Sequence, residues 1–380
     1  MTVKELLQVM VKAKASDLYI TVDSQPIYRV EGVNRSYGDT RLTSHDCETI
    51  AMALMNERQK ATFAENLEMN LGIYYPDIGR FRVNIFRQKG FVAVVFRHIA
   101  TTIATLDDLG LPETLKSLAM EKRGLVLVVG GTGTGKSTTL AAMLQHRNLT
   151  APGHIITVED PIEYIFPYGR CIISQREVGL DTHSYSDALK NTLRQAPDVI
   201  MIGEIRDRET MESAVAFSET GHLCLSTMHA NNANQAFERI MNFFPPEKHE
   251  QVYFQLSLNT RAIVSQRLIP SLDEKRVAAV EIMLGTPRVR DLIMKKHTDQ
   301  LKTAMAEGRP DGMQTFDQAI FDLYKAGRIS YENSIANADS TNDLRLRIKM
   351  DRVNTEPEQN SENTSAFPDD FRLKSDGSDH

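Results

Sequence analysis

A phosphate-binding pattern lies near the middle of the 380-residue chain. Residues 130–137 have the form G-x-x-x-x-G-K-[ST] and stand between an apolar run, 125–129, and a segment that can continue as a helix. In such a strand–loop–helix unit, backbone N–H groups and the positive end of the helix dipole face a phosphate. The lysine reaches the β- and γ-phosphates, and the hydroxyl after it binds Mg²⁺. A Gly/Thr-rich turn with a surface lysine is the alternative. The pattern predicts a nucleotide and Mg²⁺ site formed by Gly130, Gly131, Thr132, Gly133, Thr134, Gly135, Lys136, Ser137 and Thr138.

Hydrolysis of a nucleotide also needs a carboxylate near the metal, a group that orients water, and positive charge for the transition state. The apolar run 199–202 ends in Gly203 and Glu204. Such strands usually end in Asp, whereas Gly203 leaves room for metal-bound water. We expect Ser137 to bind Mg²⁺ directly and Glu204 to bind it through water. An exposed glutamate at a strand end is the alternative.

A second apolar run, 155–158, is followed by three acids within five positions: Glu159, Asp160 and Glu163. Three neighbouring carboxylates are costly unless a cation or water network uses them. We expect Glu163 to orient the attacking water, with Glu159 and Asp160 in support. A solvated acidic loop is the alternative.

Two histidines bracket the apolar run 223–225. His229 lies past the C-terminal end of the expected strand, the end at which open α/β sheets bind their ligands. We therefore predict that His229 senses the phosphates. His222 is also assigned to the nucleotide site, with orientation of a neighbouring element as its alternative role.

A hairpin is expected in the N-terminal part of the chain. Residues 80–87 alternate apolar and polar side chains, and 91–97 form a second strand. A two-residue turn at 89–90 would place Arg82 opposite Arg97. Like charges in this position are destabilising, and a bound anion would remove the penalty. The alternatives are two solvated arginines, or a longer turn with another register.

The chain divides into four expected parts. An α+β unit comes first, followed by a linker, an α/β unit and an acidic tail. In the α/β unit, apolar runs alternate with helical segments, which predicts parallel strands with crossover helices. Its C-terminal part, about 247–347, is expected to be helical. The boundaries are 1–98, 99–123, 124–350 and 351–380.

Composition sets limits on the class of protein. The formal net charge is −6, but Asn354 to His380 contains seven acids and two bases, so the remainder is nearly neutral. This gives no support to nucleic-acid binding, and the polar tail is expected to be disordered. No apolar stretch is long enough to span a bilayer. The three cysteines form no C-x-x-C pair, which favours a reducing cytoplasm over a disulfide or zinc scaffold.

Taken together, four segments resemble the Walker A, Asp box, Walker B and His box of the secretion ATPase superfamily. They are GGTGTGKS, TVEDPIEY, GEIRD and TGH…STMHA. Within that superfamily the chain is similar to the type IV pilus retraction ATPases of twitching motility, over residues 1 to about 347. The segments ASDL near the N-terminus and ISQREVG at 173–179 strengthen the resemblance.

The resemblance implies a cytoplasmic homohexamer that hydrolyses ATP with Mg²⁺ and docks on the inner-membrane platform protein of the pilus machine. Each subunit would combine a PAS-like N-terminal domain with a RecA-like P-loop ATPase domain. In that family, N-terminal arginines approach the γ-phosphate, and the matching positions here are Arg82 and Arg97. The expected function is to drive or assist pilus retraction.

The chain departs from the family at 288–295, where RVRDLIMK stands in place of a signature near AIRNLIRE. With the acidic tail, this resembles the accessory retraction paralogue more than the principal motor. A nucleotide-binding coupling subunit stacked on the paralogous motor is therefore an alternative function. An ATPase for DNA uptake or conjugation is a weaker third possibility.

Overall fold

A computed structural model describes residues 2–99, 102–273 and 275–355. Most of the acidic tail expected at 351–380 therefore lies outside the described residues, which end in a helix that reaches Thr355. Among the described helices, none is both long and apolar enough to cross a membrane.

The N-terminal part is an antiparallel six-stranded sheet with helices packed on one core. The strand order is β3-β2-β1-β6-β5-β4. Alternation places Phe81, Val83 and Ile85 in that core, each fully buried. The elements are α1 Val3–Lys12, β1 Asp17–Ile20, β2 Ile27–Val30, β3 Val33–Ser36, α2 Ser44–Leu54, α3 Glu57–Asn66, β4 Glu68–Tyr75, β5 Gly79–Gln88 and β6 Phe91–Ile99.

The expected hairpin register is confirmed. Gln88 pairs with Phe91 across the Lys89-Gly90 turn, and Arg82 pairs with Arg97. Both turn residues have positive φ, 51° and 83°, as a two-residue turn that follows the strand twist requires.

The segment expected as a linker, 99–123, packs against the second domain in its described part. Leu106, Leu111 and Leu115 are buried in the same cluster as the central strands of that domain. The short helix α4, Thr114–Ala119, adds two more buried side chains. These contacts tie the segment to the α/β unit.

The second domain is a seven-stranded sheet of order β13-β12-β7-β11-β10-β8-β9. The prediction of four parallel strands is confirmed: the four apolar runs form β7, β8, β10 and β11, which pair in parallel. The elements are β7 Gly124–Val129, α5 Lys136–Thr150, β8 Gly153–Glu159, β9 Cys171–Glu177, α6 Tyr185–Thr192, β10 Val199–Ile202, α7 Arg208–Glu219, β11 Leu223–Met228, α8 Ala233–Met241, α9 His249–Asn259, β12 Thr260–Pro270, β13 Arg276–Leu284, α10 Pro287–Met294, α11 Leu301–Glu307, α12 Phe316–Lys325, α13 Tyr331–Asn337 and α14 Thr341–Thr355.

Both faces of this sheet are buried. On β7, Leu127 and Val129 belong to one apolar cluster, whereas Val126 and Val128 belong to another on the opposite face. A parallel sheet with helices on both faces gives such unbroken apolar strands. The architecture is the α/β class expected from the sequence, with a smaller α+β domain before it.

The expectation that 247–347 is wholly helical is wrong. Residues 260–270 and 276–284 form β12 and β13, which pair antiparallel, and β12 also pairs parallel with β7. The run 262–265 is buried on both sides, so it lacks the alternation that marks a half-exposed strand. The strand β9 was also not expected from the sequence.

Candidate active site

One cavity lies at the C-terminal ends of β7, β8, β10 and β11. It is the edge of the sheet at which parallel strands present their loops, so side chains that are distant in sequence meet there. Its lining combines the phosphate loop, four acids, two bases and a histidine. The lining residues are Thr132, Gly133, Lys136, Ser137, Leu140, Ala141, Glu159, Asp160, Pro161, Glu163, Tyr164, Phe166, Tyr185, Met201, Gly203, Glu204, Arg206, Thr227 and His229.

The loop 130–135 turns directly into α5, whose first residue is Lys136. The ammonium of Lys136 donates to the carbonyls of Gly130, at 3.0 Å, and Gly131, at 2.8 Å. Burial lowers the pKa of Lys136, and the charges of Glu204 and Glu163 oppose that shift. A cation held inside a loop of inward N–H groups provides a binding site for phosphate oxygens.

The Glu204 carboxylate is held from two sides. Its Oε2 accepts from Arg206, at 2.8 Å from Nε and 2.7 Å from Nη2. Its Oε1 lies 3.1 Å from Nε2 of His229. Burial and the Lys136 charge lower the pKa of His229 although Glu204 opposes the shift, so the ring is neutral near pH 7 and can donate one N–H.

The three acids at the C-terminal end of β8 occupy different environments. Glu159 is 7% exposed and accepts from the Thr157 hydroxyl at 2.6 Å. Burial raises its pKa to about 7. Asp160 and Glu163 are exposed at the mouth of the same cavity. Of the three, Glu163 shares the field of Lys136 and reaches solvent, as a group that handles water must.

Tyr185 closes the cavity beside the end of β10. A Cβ atom on Gly203 would lie 3.0 Å from the Tyr185 hydroxyl and 3.2 Å from the Cα of Glu159. A side chain at position 203 would therefore fit only if these neighbours shifted by a few tenths of an ångström. On the opposite wall, the Thr138 hydroxyl is 2.8 Å from that of Tyr164, so Thr138 contacts the lining without belonging to it.

His222 lies at the other end of β11, next to its first residue. Its Nδ1 is 3.1 Å from the Thr220 hydroxyl and 3.3 Å from the Phe217 carbonyl. Six strand residues, about 20 Å at 3.3 Å per residue, separate it from His229. Within this chain His222 caps the end of α7, the alternative role raised from the sequence.

Arg82 and Arg97 face each other across β5 and β6, outside the described lining of the cavity. Arg97 Nε donates to Asp17 Oδ1 at 2.8 Å, and that carboxylate is 5% exposed. Burial raises the pKa of Glu177, while a hydrogen bond from Ile162 and the charge of Arg82 oppose the shift. Arg97 therefore pairs directly with the Asp17 carboxylate, whereas Arg82 acts on Glu177 through its charge.

Sequence reasoning missed Arg206, Tyr185 and the Asp17 counter-ion. Arg206 stands two positions after Glu204, and this spacing at a strand end was the available signal. Asp17 was noted only as part of a motif, because its contact with Arg97 spans 80 positions. Tyr185 begins α6 and gave no local sign of a role.

The sheet, the phosphate loop before α5 and the acids at the strand ends define a P-loop ATPase. Comparisons with known proteins agree. The family described as type II/IV secretion system protein matches residues 2–342. The chain is 55% identical to the type IV pilus ATPase PilU of Pseudomonas aeruginosa, over 92% of each chain. It is 41% identical to the pilus retraction ATPase PilT of that species, over 88% of this chain and 97% of PilT.

Solved structures give the same result. A crystal structure of the pilus retraction motor PilT with bound ADP superposes with a TM-score of 0.85 at 38% identity, over 91% of this chain and 99% of that one. The chain therefore belongs to the type II/IV secretion system protein family and, within it, to the type IV pilus retraction ATPases. It is an ATP hydrolase associated with pilus retraction.

Proposed function

We propose that the chain is a homohexameric motor subunit that couples ATP hydrolysis in the cavity of Lys136 to type IV pilus retraction. The observation that carries this is the convergence of the phosphate loop, Glu204, Glu163 and His229 on one cavity. The similarity to a PilT structure with bound ADP supports the choice of nucleotide. Docking on the inner-membrane platform protein would place the ring at the inner face of that membrane, in the cytoplasm.

The residues present fit Mg²⁺ held with a nucleotide. Ser137 and Glu204 supply oxygen ligands to the cavity that Lys136 also lines. Among the described residues, no group of three or more His, Cys, Asp or Glu side chains could hold a metal unaided. Mg²⁺ typically keeps waters and substrate phosphates as ligands, so a sparse oxygen site suits it. When bound, the ion would neutralise charge on the phosphates.

We assign each residue a catalytic role from its place relative to the phosphate loop. Lys136 binds the β- and γ-phosphates, Glu163 orients the attacking water, and His229 links the γ-phosphate to Glu204. Glu159 and Asp160 shape the water network beside Glu163. Arg82 and Arg97 would approach the γ-phosphate when the N-terminal domain closes over the cavity, and Arg97 would then exchange the Asp17 carboxylate for phosphate oxygens. Nucleic acid has no role in this scheme.

Two substitutions test the proposal. Lys136→Ala removes the cation of the loop and Glu204→Gln removes the carboxylate charge at the metal. We expect each to lower kcat for ATP at least about a hundredfold, the scale seen for a lost transition-state contact. The thermal midpoint should stay within a few degrees. Turnover equal to that of the wild type in either purified variant would refute the assignment.

A coupling subunit that stacks on a paralogous motor is the second candidate. The observation in its favour is the altered stretch 288–295, in which Arg288 pairs with Glu307 and Lys295 with Asp291. Pilus retraction in strains that lack this gene, its paralogue or both separates the two. Retraction in the absence of the paralogue would identify an independent motor, and retraction that requires both genes would favour coupling.

A further inference from the structure

A single amide side chain joins β12 to the phosphate loop. Gln266 is 4% exposed, in the middle of the strand next to β7. Its Nε2 donates to the Thr134 carbonyl at 2.8 Å, and its Oε1 accepts from the Thr139 hydroxyl at 2.7 Å. One side chain therefore contacts the loop before Lys136 and the helix after it.

The backbone of Gln266 approaches the loop as closely as its side chain does. A Cβ atom on Gly130 would lie 2.7 Å from the Gln266 carbonyl oxygen, and one on Gly135 would lie 2.9 Å from its Nε2. Real Cβ contacts are essentially never this short. Two glycines of the phosphate loop are therefore in contact with Gln266, at the two ends of the turn.

We propose that Gln266 is the positioning residue of the phosphate loop. By holding the Thr134 carbonyl away from the cavity, it directs the neighbouring N–H groups inward, toward the phosphates. Through Thr139 it also fixes the first turn of α5, from which Lys136 and Ser137 extend. An amide suits this position because it donates and accepts at once, whereas an ionised glutamate could accept only.

The cost of losing the residue follows from its burial. A buried carbonyl or hydroxyl that loses its partner destabilises the arrangement that buried it. Without the Gln266 amide, the Thr134 carbonyl loses the contact that fixes its direction. The loop then samples conformations that do not bind phosphate, and nucleotide affinity falls in proportion to the competent fraction.

This inference rests on the proposed nucleotide site. The test is therefore designed so that failure of the Gln266 role can be told apart from failure of the nucleotide site itself. Gln266→Met keeps the length of the side chain and removes both hydrogen bonds. Gln266→Glu retains the acceptor for Thr139, and Thr139→Val removes that bond alone. The matched control is Thr260→Val on the same strand, because the buried Thr260 hydroxyl has no hydrogen-bond partner among the described residues.

Two readouts apply to each purified variant: the Kd for ADP and hydrogen–deuterium exchange of residues 130–139 without nucleotide. We expect Gln266→Met to weaken ADP binding and raise KM for ATP about tenfold or more, since it removes two hydrogen bonds that hold the loop. Loop exchange should be faster, and kcat should change less than KM. Thr139→Val should show a smaller shift of the same kind, and Gln266→Glu should weaken binding.

The same measurements can also refute the proposed role of Gln266. If Gln266→Met and Thr139→Val match Thr260→Val within about twofold in ADP affinity and in loop exchange, Gln266 has no positioning role. Should Gln266→Met fail to fold, Thr139→Val and Gln266→Glu decide by the same criteria. Failure of the wild type and of Thr260→Val to bind ADP would instead refute the nucleotide site itself.

Discussion

Acidic side chains in the cavity differ in how deeply they are buried, and burial changes the pKa of a carboxyl group. Glu159 and Glu163 are four positions apart, yet one is buried against Thr157 and the other reaches solvent. Burial disfavours the ionised form of a carboxyl, so Glu159 has a pKa of about 7. The end of β8 therefore places one carboxyl in the core and a second one in solvent.

Stability should depend on pH through Glu159. Its folded pKa, about 7, is above the ordinary value of 4.5, so the folded protein binds the proton more tightly. Its contribution to stability is fully present below pH 4.5 and is lost as pH rises through 7. We expect the wild type to lose on the order of 3 kcal/mol between pH 4.5 and 8 through this group, at about 1.4 kcal/mol per unit.

Urea denaturation of the nucleotide-free protein at several pH values measures this loss. The variant Glu159→Gln cannot ionise and should lack the Glu159 component of the slope, so it should be more stable than the wild type at pH 8. Parallel profiles for the two proteins would contradict the prediction. The Thr157 hydroxyl keeps an acceptor in the variant, which makes the comparison close to isosteric.

Arg97 offers a second prediction at this scale. If it contacts only the γ-phosphate, Arg97→Ala should lower kcat for ATP about a hundredfold or more and leave ADP affinity within about twofold. The matched control is Arg87→Ala, since Arg87 is on β5 and its guanidinium donates to the exposed Gly90 carbonyl and lies over the Phe63 ring, away from the cavity. The thermal midpoint must be followed too, because Asp17 loses its ion pair with Arg97. Equal kcat in the two variants would exclude the role.

At the scale of elements, local patterns determined what could be predicted. The phosphate loop and its flanking strand and helix are contiguous, so their chemistry is readable from eight residues. The β5–β6 register followed from a two-residue turn, whose length fixes every pair beyond it. Each of these features depends on neighbours in sequence.

The features that escaped prediction depend on distant partners. Strand β12 pairs with β7, which lies more than 130 positions earlier, and its doubly buried residues show no period. Gln266 was missed with the strand that carries it, because it lies in a polar triplet, 265–267, between the short apolar runs 262–264 and 268–269. His222 precedes its strand, and the rule that ligands meet the carboxyl ends of strands already argued against it.

The importance of β12 to the core can be measured directly. Ile263 is fully buried in the cluster that also contains Leu127 and Met283. Ile263→Ala should lower the free energy of unfolding by about 2–5 kcal/mol, the cost of a large-to-small change in a packed core. Leu272→Ala is the control, because Leu272 is 63% exposed in the turn after β12. Comparable urea midpoints for the two variants would be incompatible with a central strand.

The same strand also links the nucleotide side to the C-terminal helices. Arg267, next to Gln266, pairs with Asp339 at 2.7 Å and stacks at 3.8 Å on the ring of Phe316. Consecutive residues of a strand point to opposite faces, so β12 contacts the phosphate loop on one side and α12 on the other.

For the whole molecule, most of the net negative charge is carried by the C-terminal residues, which do not line the cavity. The described chain ends in α14, where Leu344 and Ile348 pack in a cluster with Phe316 and Ile320. Residues 356–380 contain seven acids and two bases, so deleting them changes the formal net charge from −6 to −1. The cavity, by contrast, draws its lining from residues 132–229.

Deletion of residues 356–380 should therefore leave kcat and KM for ATP within about twofold of the wild-type values. Removal of five net negative charges changes the long-range field, which salt screens over about 8 Å at physiological ionic strength. Any effect on an anionic nucleotide would then be a higher association rate at low salt that disappears at 0.15 M. Steady-state turnover of the full-length and truncated proteins at both salt concentrations measures this. A large loss of turnover at 0.15 M would mean that the tail takes part in catalysis or in assembly of the active ring.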